Sequence, residues 1–141
     1  MTTLQSVYDR FFSKADEDFT GKESLVYNIF ISAISRSKKV VNHSLVYTLT
    51  EVGEGEEETY KGEFTDTLDD DEIEFISLRM LYEKNRRRLQ YLISLQQLIG
   101  TKDFSNLPDK VKELNAIQLS QKDLQEEIDS FKNEFNTYTY S

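Results

Sequence analysis

Apolar residues recur at helical spacing along most of the chain. Leu4, Val7, Tyr8, Phe11 and Phe12 fall at i, i+3, i+4, i+7 and i+8, which predicts an amphipathic helix over residues 4–13 with Thr3 as its N-cap. Residues 15–21 are acidic and turn-like, and Gly21 is the breaker. Leu25, Val26, Ile29, Phe30, Ala33 and Ile34 then repeat the pattern, predicting a second helix over residues 23–37. Two short amphipathic helices in succession suggest a helical hairpin.

The period next changes from helical to two. Leu45, Tyr47 and Leu49 alternate with Val46, Thr48 and Thr50, a β-branched and aromatic run that reads as a strand. The glycine- and glutamate-rich segment that follows can only be a solvated loop. Residues 59–64 read as a second, weaker strand, with Gly62 inside it at a bulge. The expectation is one β-hairpin over about residues 44–65. Because an isolated two-stranded hairpin is marginal in water, it must lean on the helices or on a partner.

Residues 67–74 announce a third helix. Thr67 with Asp70 and Asp69 with Glu72 are alternative capping pairs, and the acids of the first turn match the positive end of the helix dipole. The helix is expected to run to about Ile99, with Gly100 as the C′ residue. Its apolar positions cover more than one face, so it should be central and touch several neighbours. Residues 101–106 read as a short loop with Phe104 tucked inward, and Pro108 opens the last helix. Along that helix Leu114, Ile117, Gln121, Leu124, Ile128, Phe131 and Phe135 step 3, 4, 3, 4, 3, 4. This is a heptad seam with one polar member, short enough to pack within the chain against the third helix. The fold expected is therefore mostly α: about four helices in a bundle with one inserted β-hairpin. Residues 1–135 form a single domain, and residues 136–141 an extended C-terminal tail.

Composition narrows the function. A chain of 141 residues fits one domain and can bury about 70% of its unfolded surface without a disulfide or metal. With no cysteine, disulfide frameworks, thiolate zinc sites and cysteine nucleophiles are excluded. No apolar run is long enough to span a membrane, and the first residues lack the pattern of a signal peptide, so a soluble, cytosolic product is expected. The net charge of −9 argues against a protein that coats nucleic acid. That charge is concentrated: residues 51–74 hold twelve acids and one base, Lys61, against 14 acids and 16 bases elsewhere.

Little catalytic chemistry can be built from these residues. Asp69, Asp70, Asp71 and Glu72 are adjacent on a helix and fan around its axis; no EF-hand spacing is present. His43 has no triad partners in the sequence pattern and reads as a surface histidine before a strand. Gly53 and Gly55 sit among glutamates that would repel a phosphate. No enzyme, metal or cofactor is expected. Arg86, Arg87 and Arg88 span too much of the helix circumference for one flat patch. Their alternatives are Glu83–Arg87 pairing at i+4 with the others facing solvent, salt bridges across a subunit boundary to the acidic hairpin, or DNA contact. The tail Asn136, Thr137, Tyr138, Thr139, Tyr140 and Ser141 could fray or add as a strand to the sheet edge of a partner.

The acidic cap and apolar helix of residues 67–80, Arg88-Leu89, the Lys102-Asp103-Phe104-Ser105 stretch before a last long helix, and the terminal Tyr138-Thr139-Tyr140 resemble the small neck proteins of tailed bacteriophages, the head–tail connectors or portal adaptors. The resemblance takes in about half of the chain and consists of style and order. It implies a virion subunit made in the host cytoplasm, forming a ring, usually of twelve copies, beneath the portal protein. The ring would link the capsid to the next neck or tail protein and let DNA pass without specific binding, with neither a membrane nor a small-molecule substrate involved. Carried onto this chain, residues 136–141 would be the docking tail. Glu54, Glu56, Glu57 and Glu58 of the hairpin tip, with Asp69, Asp70 and Asp71, would face the channel and repel phosphates. The hairpin is longer and more acidic than a purely helical adaptor would carry, which leaves a tail or baseplate subunit open. A free-standing acidic helical module that mimics DNA is the competing class.

Overall fold

The computed structural model describes residues 1–53 and 60–140, with side chains to residue 135. The element order is α1 (Leu4–Ala15), α2 (Glu23–Ser37), β1 (Tyr47–Val52), β2 (Tyr60–Phe64), α3 (Asp70–Ile99), α4 (Thr101–Ser105) and α5 (Pro108–Tyr140). The mostly helical class with one inserted antiparallel hairpin is thus as the apolar periodicity predicts. Thr3 caps α1 by accepting from the Ser6 N–H at 3.2 Å, and the left-handed Asp16 (φ 41°) ends it.

Two expectations are corrected. Residues 101–105, read as loop, form the short helix α4, whose Phe104 is buried as expected. The segment expected to be an extended tail is helical backbone to Tyr140. Adding a residue to an existing helix fixes one residue for one new hydrogen bond, and Thr and Tyr cost only tenths of a kcal/mol in propensity. A strand, by contrast, needs a partner that the described residues do not offer there.

The hairpin leans on α1 and α2. The rings of Tyr27 and Tyr60 stack at 4.4 Å and 6°, Tyr27 and Tyr47 hydroxyls meet at 3.1 Å, and Phe30 packs edge-on against Phe64 and Tyr47. Tyr8 donates its hydroxyl to the Tyr60 carbonyl at 3.1 Å. The N-terminus adds a short third edge: Phe64 N–H donates to the Thr2 carbonyl at 2.7 Å, and Thr3 bridges Glu63.

The main core joins α1, α2 and the hairpin to α3 and to the C-terminal half of α5, with Phe11, Phe30, Phe64, Phe75, Ile76 and Ile128 fully buried. Pairings of Phe75 with Phe131 and Phe135, and of Arg88 with Glu113, show that α5 runs antiparallel to α3. All seven seam positions on α5 are buried or half-buried. A second, smaller cluster of Leu92, Phe104 and Leu114 draws only on α3, α4 and α5. The distal halves of α3 and α5 are therefore an arm with a core of its own.

The hairpin register shifts between Leu49 and Glu51, so the bulge expected near Gly62 lies on the opposite strand. Gly62 is instead a point of close approach: a Cβ there would stand 2.2 Å from the Thr48 carbonyl oxygen. Gly62→Ala is expected to force the strands apart and to cost about 1–3 kcal/mol. Urea unfolding measures this directly, and a change below about 0.5 kcal/mol would mean the strands yield without strain.

Candidate functional site

The start of α3 is fastened by a buried carboxylate. Asp69 and Glu72 form the capping box, which decides between the two alternatives, and Asp69 N–H donates to Glu72 Oε1 at 2.9 Å. His43, distant in sequence, is brought to the same acid. Its backbone N–H donates to Glu72 Oε2 at 2.8 Å, and its Nδ1 lies 2.5 Å from Oε1. Glu72 is fully buried while the His43 side chain remains 41% exposed. Burial pushes the Glu72 pKa up, but the N–H groups of Asp69 and His43 and the His43 ring outweigh it, and the net shift is downward. The same hydrogen bond, accepted by Glu72, raises the His43 pKa. His43, Asp69 and Glu72 could offer a metal one ligand atom each within 4.8 Å. The oxygens of Glu72, however, already accept these donors, so the trio is a clasp between the α2–β1 connection and α3.

Beside it, Arg10 of α1 donates to Asp70 at 2.6 Å and to Glu74 at 2.7 Å, and Lys14 also reaches Glu74. Of the acids expected to face a channel, Asp69 is in the cap, Asp70 is paired within the chain, and Asp71 is exposed. Glu54, Glu56, Glu57 and Glu58 lie outside the described residues.

Near the end of the buried half of α3, Glu83 makes a second hub. It is 2% exposed, and three guanidiniums share it: Arg36 Nε at 2.9 Å, Arg79 Nη2 at 3.5 Å and Arg86 Nε at 3.7 Å. The expected Glu83–Arg87 pair is replaced, because Glu83 points inward toward α2 whereas Arg87 lies on the exposed side. Arg88 pairs within the chain, with both oxygens of Glu113 at 2.5 and 3.1 Å, and covers the Tyr91 ring at 4.8 Å. Of the arginine run, only Arg87 has no ion pair among the described residues.

The arm carries the largest apolar exposure. Leu98 is 83% and Leu119 63% exposed, and Tyr91, Ile93 and Leu107 are also open to solvent. Around α3, the positions facing α5 are Leu89, Leu92, Leu95 and Ile99. Tyr91 and Leu98, seven residues apart, lie on a flank that α5 does not cover. The candidate docking residues Asn136, Thr137, Tyr138, Thr139 and Tyr140 lie on the helical backbone of α5; their side chains and Ser141 are outside what is described. His43 and Glu83 were missed as hubs because nothing local in sequence marks a partner 29 or 47 positions away.

Compared with family models, curated proteins and solved structures, the chain matches none of them.

Two variants test these hubs. The His43 pKa is raised on folding, so its stabilising contribution is fully present below the ordinary imidazole value of about 6.5 and is lost as pH rises through the raised value. His43→Ala should therefore cost about 0.5–1 kcal/mol near pH 6, solvent screening keeping it this small, and less near pH 9. Urea unfolding at both values reads the difference, and a larger cost at the higher pH would contradict the clasp. Glu83→Gln leaves three guanidiniums around a neutral group and is expected to cost about 3 kcal/mol; a loss under about 1 kcal/mol would show that the arginines find other acceptors.

Proposed function

We propose that this chain is a non-catalytic assembly subunit, and that the α3–α5 arm is the element it offers to protein partners. The reading rests on one observation: α3 is apolar over more of its circumference than its neighbours in the arm cover. In its first half, α1, α2 and α5 all pack on it; beyond Tyr91, whose ring borders a cleft shared with Leu25 and Ile29 of α2, only α4 and α5 do. The uncovered flank carries Tyr91 and Leu98. A helix apolar on more than one face is normally enclosed on more than one side, and the missing neighbour here is another protein.

The specific form we propose is the connector ring of a tailed phage, with a second copy against the arm and the portal protein at one end. Its support is the resemblance of residues 67–80, 88–89, 102–105 and 138–140 together with this uncovered flank. Against the competing module that mimics DNA with its acidic hairpin, Asp70 and Glu74 are held by Arg10 and Lys14, so the start of α3 does not extend the hairpin acids as a free phosphate-like row; the hairpin-tip acids themselves lie outside the described residues.

Mass photometry of the purified chain, alone and mixed with its cognate portal, should show a stoichiometric ring on or beside the portal. Leu98→Glu should abolish that assembly while changing stability by less than about 0.5 kcal/mol, as expected of an exposed position. A chain that stays monomeric and ignores the portal would overturn the connector form. Assembly undisturbed by the Leu98 substitution would remove the arm from it.

A further inference from the structure

Where α2, α3 and α5 meet, a cleft of about 480 Å³ is lined by Arg36, Lys39, Arg79, Arg86, Gln125 and Lys132. Its volume is that of an ordinary small-ligand site. Five cations thus line one cleft on a chain whose net charge is −9. Glu83 neutralises one of them. Asp129, which accepts from Gln125 at 2.9 Å, stands at the margin.

The cations are also incompletely bonded. Arg79 is only 6% exposed, yet its Nε is buried without a hydrogen-bond partner, and so is that of Arg86, whose 3.7 Å approach to Glu83 is too long for a hydrogen bond. The one carboxylate contact of Arg79, at 3.5 Å, is at the long limit for a hydrogen bond. Tyr82 covers its guanidinium at 5.2 Å, leaving the donor edges to be met in the plane. Both Nε atoms are closed to solvent, which is costly; the guanidiniums of Arg36 and Arg86, 49% and 42% exposed, are the planar forks open to the cleft that fit the paired oxygens of a phosphate, with lysines adding point charge.

We propose that this cleft binds a small polyvalent phosphate, such as pyrophosphate or the phosphate chain of a nucleotide. A single carboxylate would leave most of the cluster uncompensated. Duplex DNA fits poorly for a different reason: its charges run in a line, and the α5 surface around Lys132 exposes Asp123, Glu126, Glu127, Asp129 and Glu134, which repel a long polyanion but leave a compact one room inside. The site is separate from the arm and does not depend on the assembly reading.

Pyrophosphate titrated calorimetrically into the full chain, at constant ionic strength, should bind one per chain and raise the melting temperature. Lys39→Ala combined with Lys132→Ala removes two cations that take no part in the Glu83 hub, so the fold should persist, checked by its melting temperature. That pair should weaken binding by about tenfold or more, while Lys102→Ala with Lys112→Ala, on the arm, should leave it unchanged. Absence of binding overturns the proposal, as does equal weakening by the arm pair, which would mean a general charge effect. Displacement of pyrophosphate by duplex DNA at equal phosphate concentration would replace the small ligand with nucleic acid and overturn it likewise.

Discussion

The length of α3 is the constraint from which the rest of the structure follows. Thirty residues of helix extend about 45 Å, more than a domain of this size encloses. The chain resolves this by building its body around the first half alone. There, α1, α2 and α5 surround α3, and polar residues such as Ser77, Arg79 and Glu83 are drawn into the interior with Phe75, Ile76 and Met80. Beyond Tyr91, the only cover is the returning α5 and the short α4 that turns the chain. The same helix is thus both core and projecting arm.

Enclosing a helix so completely brings acids inside, and the two buried ones meet opposite fates. Glu72 is matched to its donors: two backbone N–H groups and one imidazole satisfy its oxygens, and the result is a joint between elements. Glu83 faces three guanidiniums with one negative charge. A buried ion pair contributes to stability only when its geometry and remaining hydrogen bonds are good, and here the distances lengthen from Arg36 to Arg79 to Arg86. Glu83 is therefore necessary to the packing of α2 on α3 without being sufficient to neutralise it. The cationic cleft is the consequence.

Elements whose pattern is local were legible in the sequence. The apolar steps of α1 and α2, the alternation in β1 and the seam from Leu114 to Phe135 each report a face that is buried, because helical and strand periods are properties of neighbouring residues. The ends were less legible. Helix continuation through residues 136–140 is decided by the helix before it, whereas the alternating Thr and Tyr suggested a strand. Residues 101–105 are too short to show a helical period. The chemistry was least visible of all: His43 meets Glu72, and Arg36 meets Glu83, only after the hairpin has been folded back, and no spacing rule spans such separations. Even the arginine run misled, since the helix turns Arg86 toward the cleft, Arg87 to solvent and Arg88 to Glu113.

Net charge has the same weakness as a guide to function. The acids of residues 66–74 are consumed in part by the N-terminus of α3 and by Arg10 and Lys14, so their density in sequence overstates the negative surface they present. The cations are dispersed in sequence over α2, α3 and α5, and their sum is unremarked until the three helices meet. Charges clustered along a chain are commonly solvated or used locally. Charges of one sign gathered from distant segments around a buried member, as Arg79 is here, repel one another at a cost that packing alone does not explain. In this molecule the second kind of cluster is positive, although the protein is acidic.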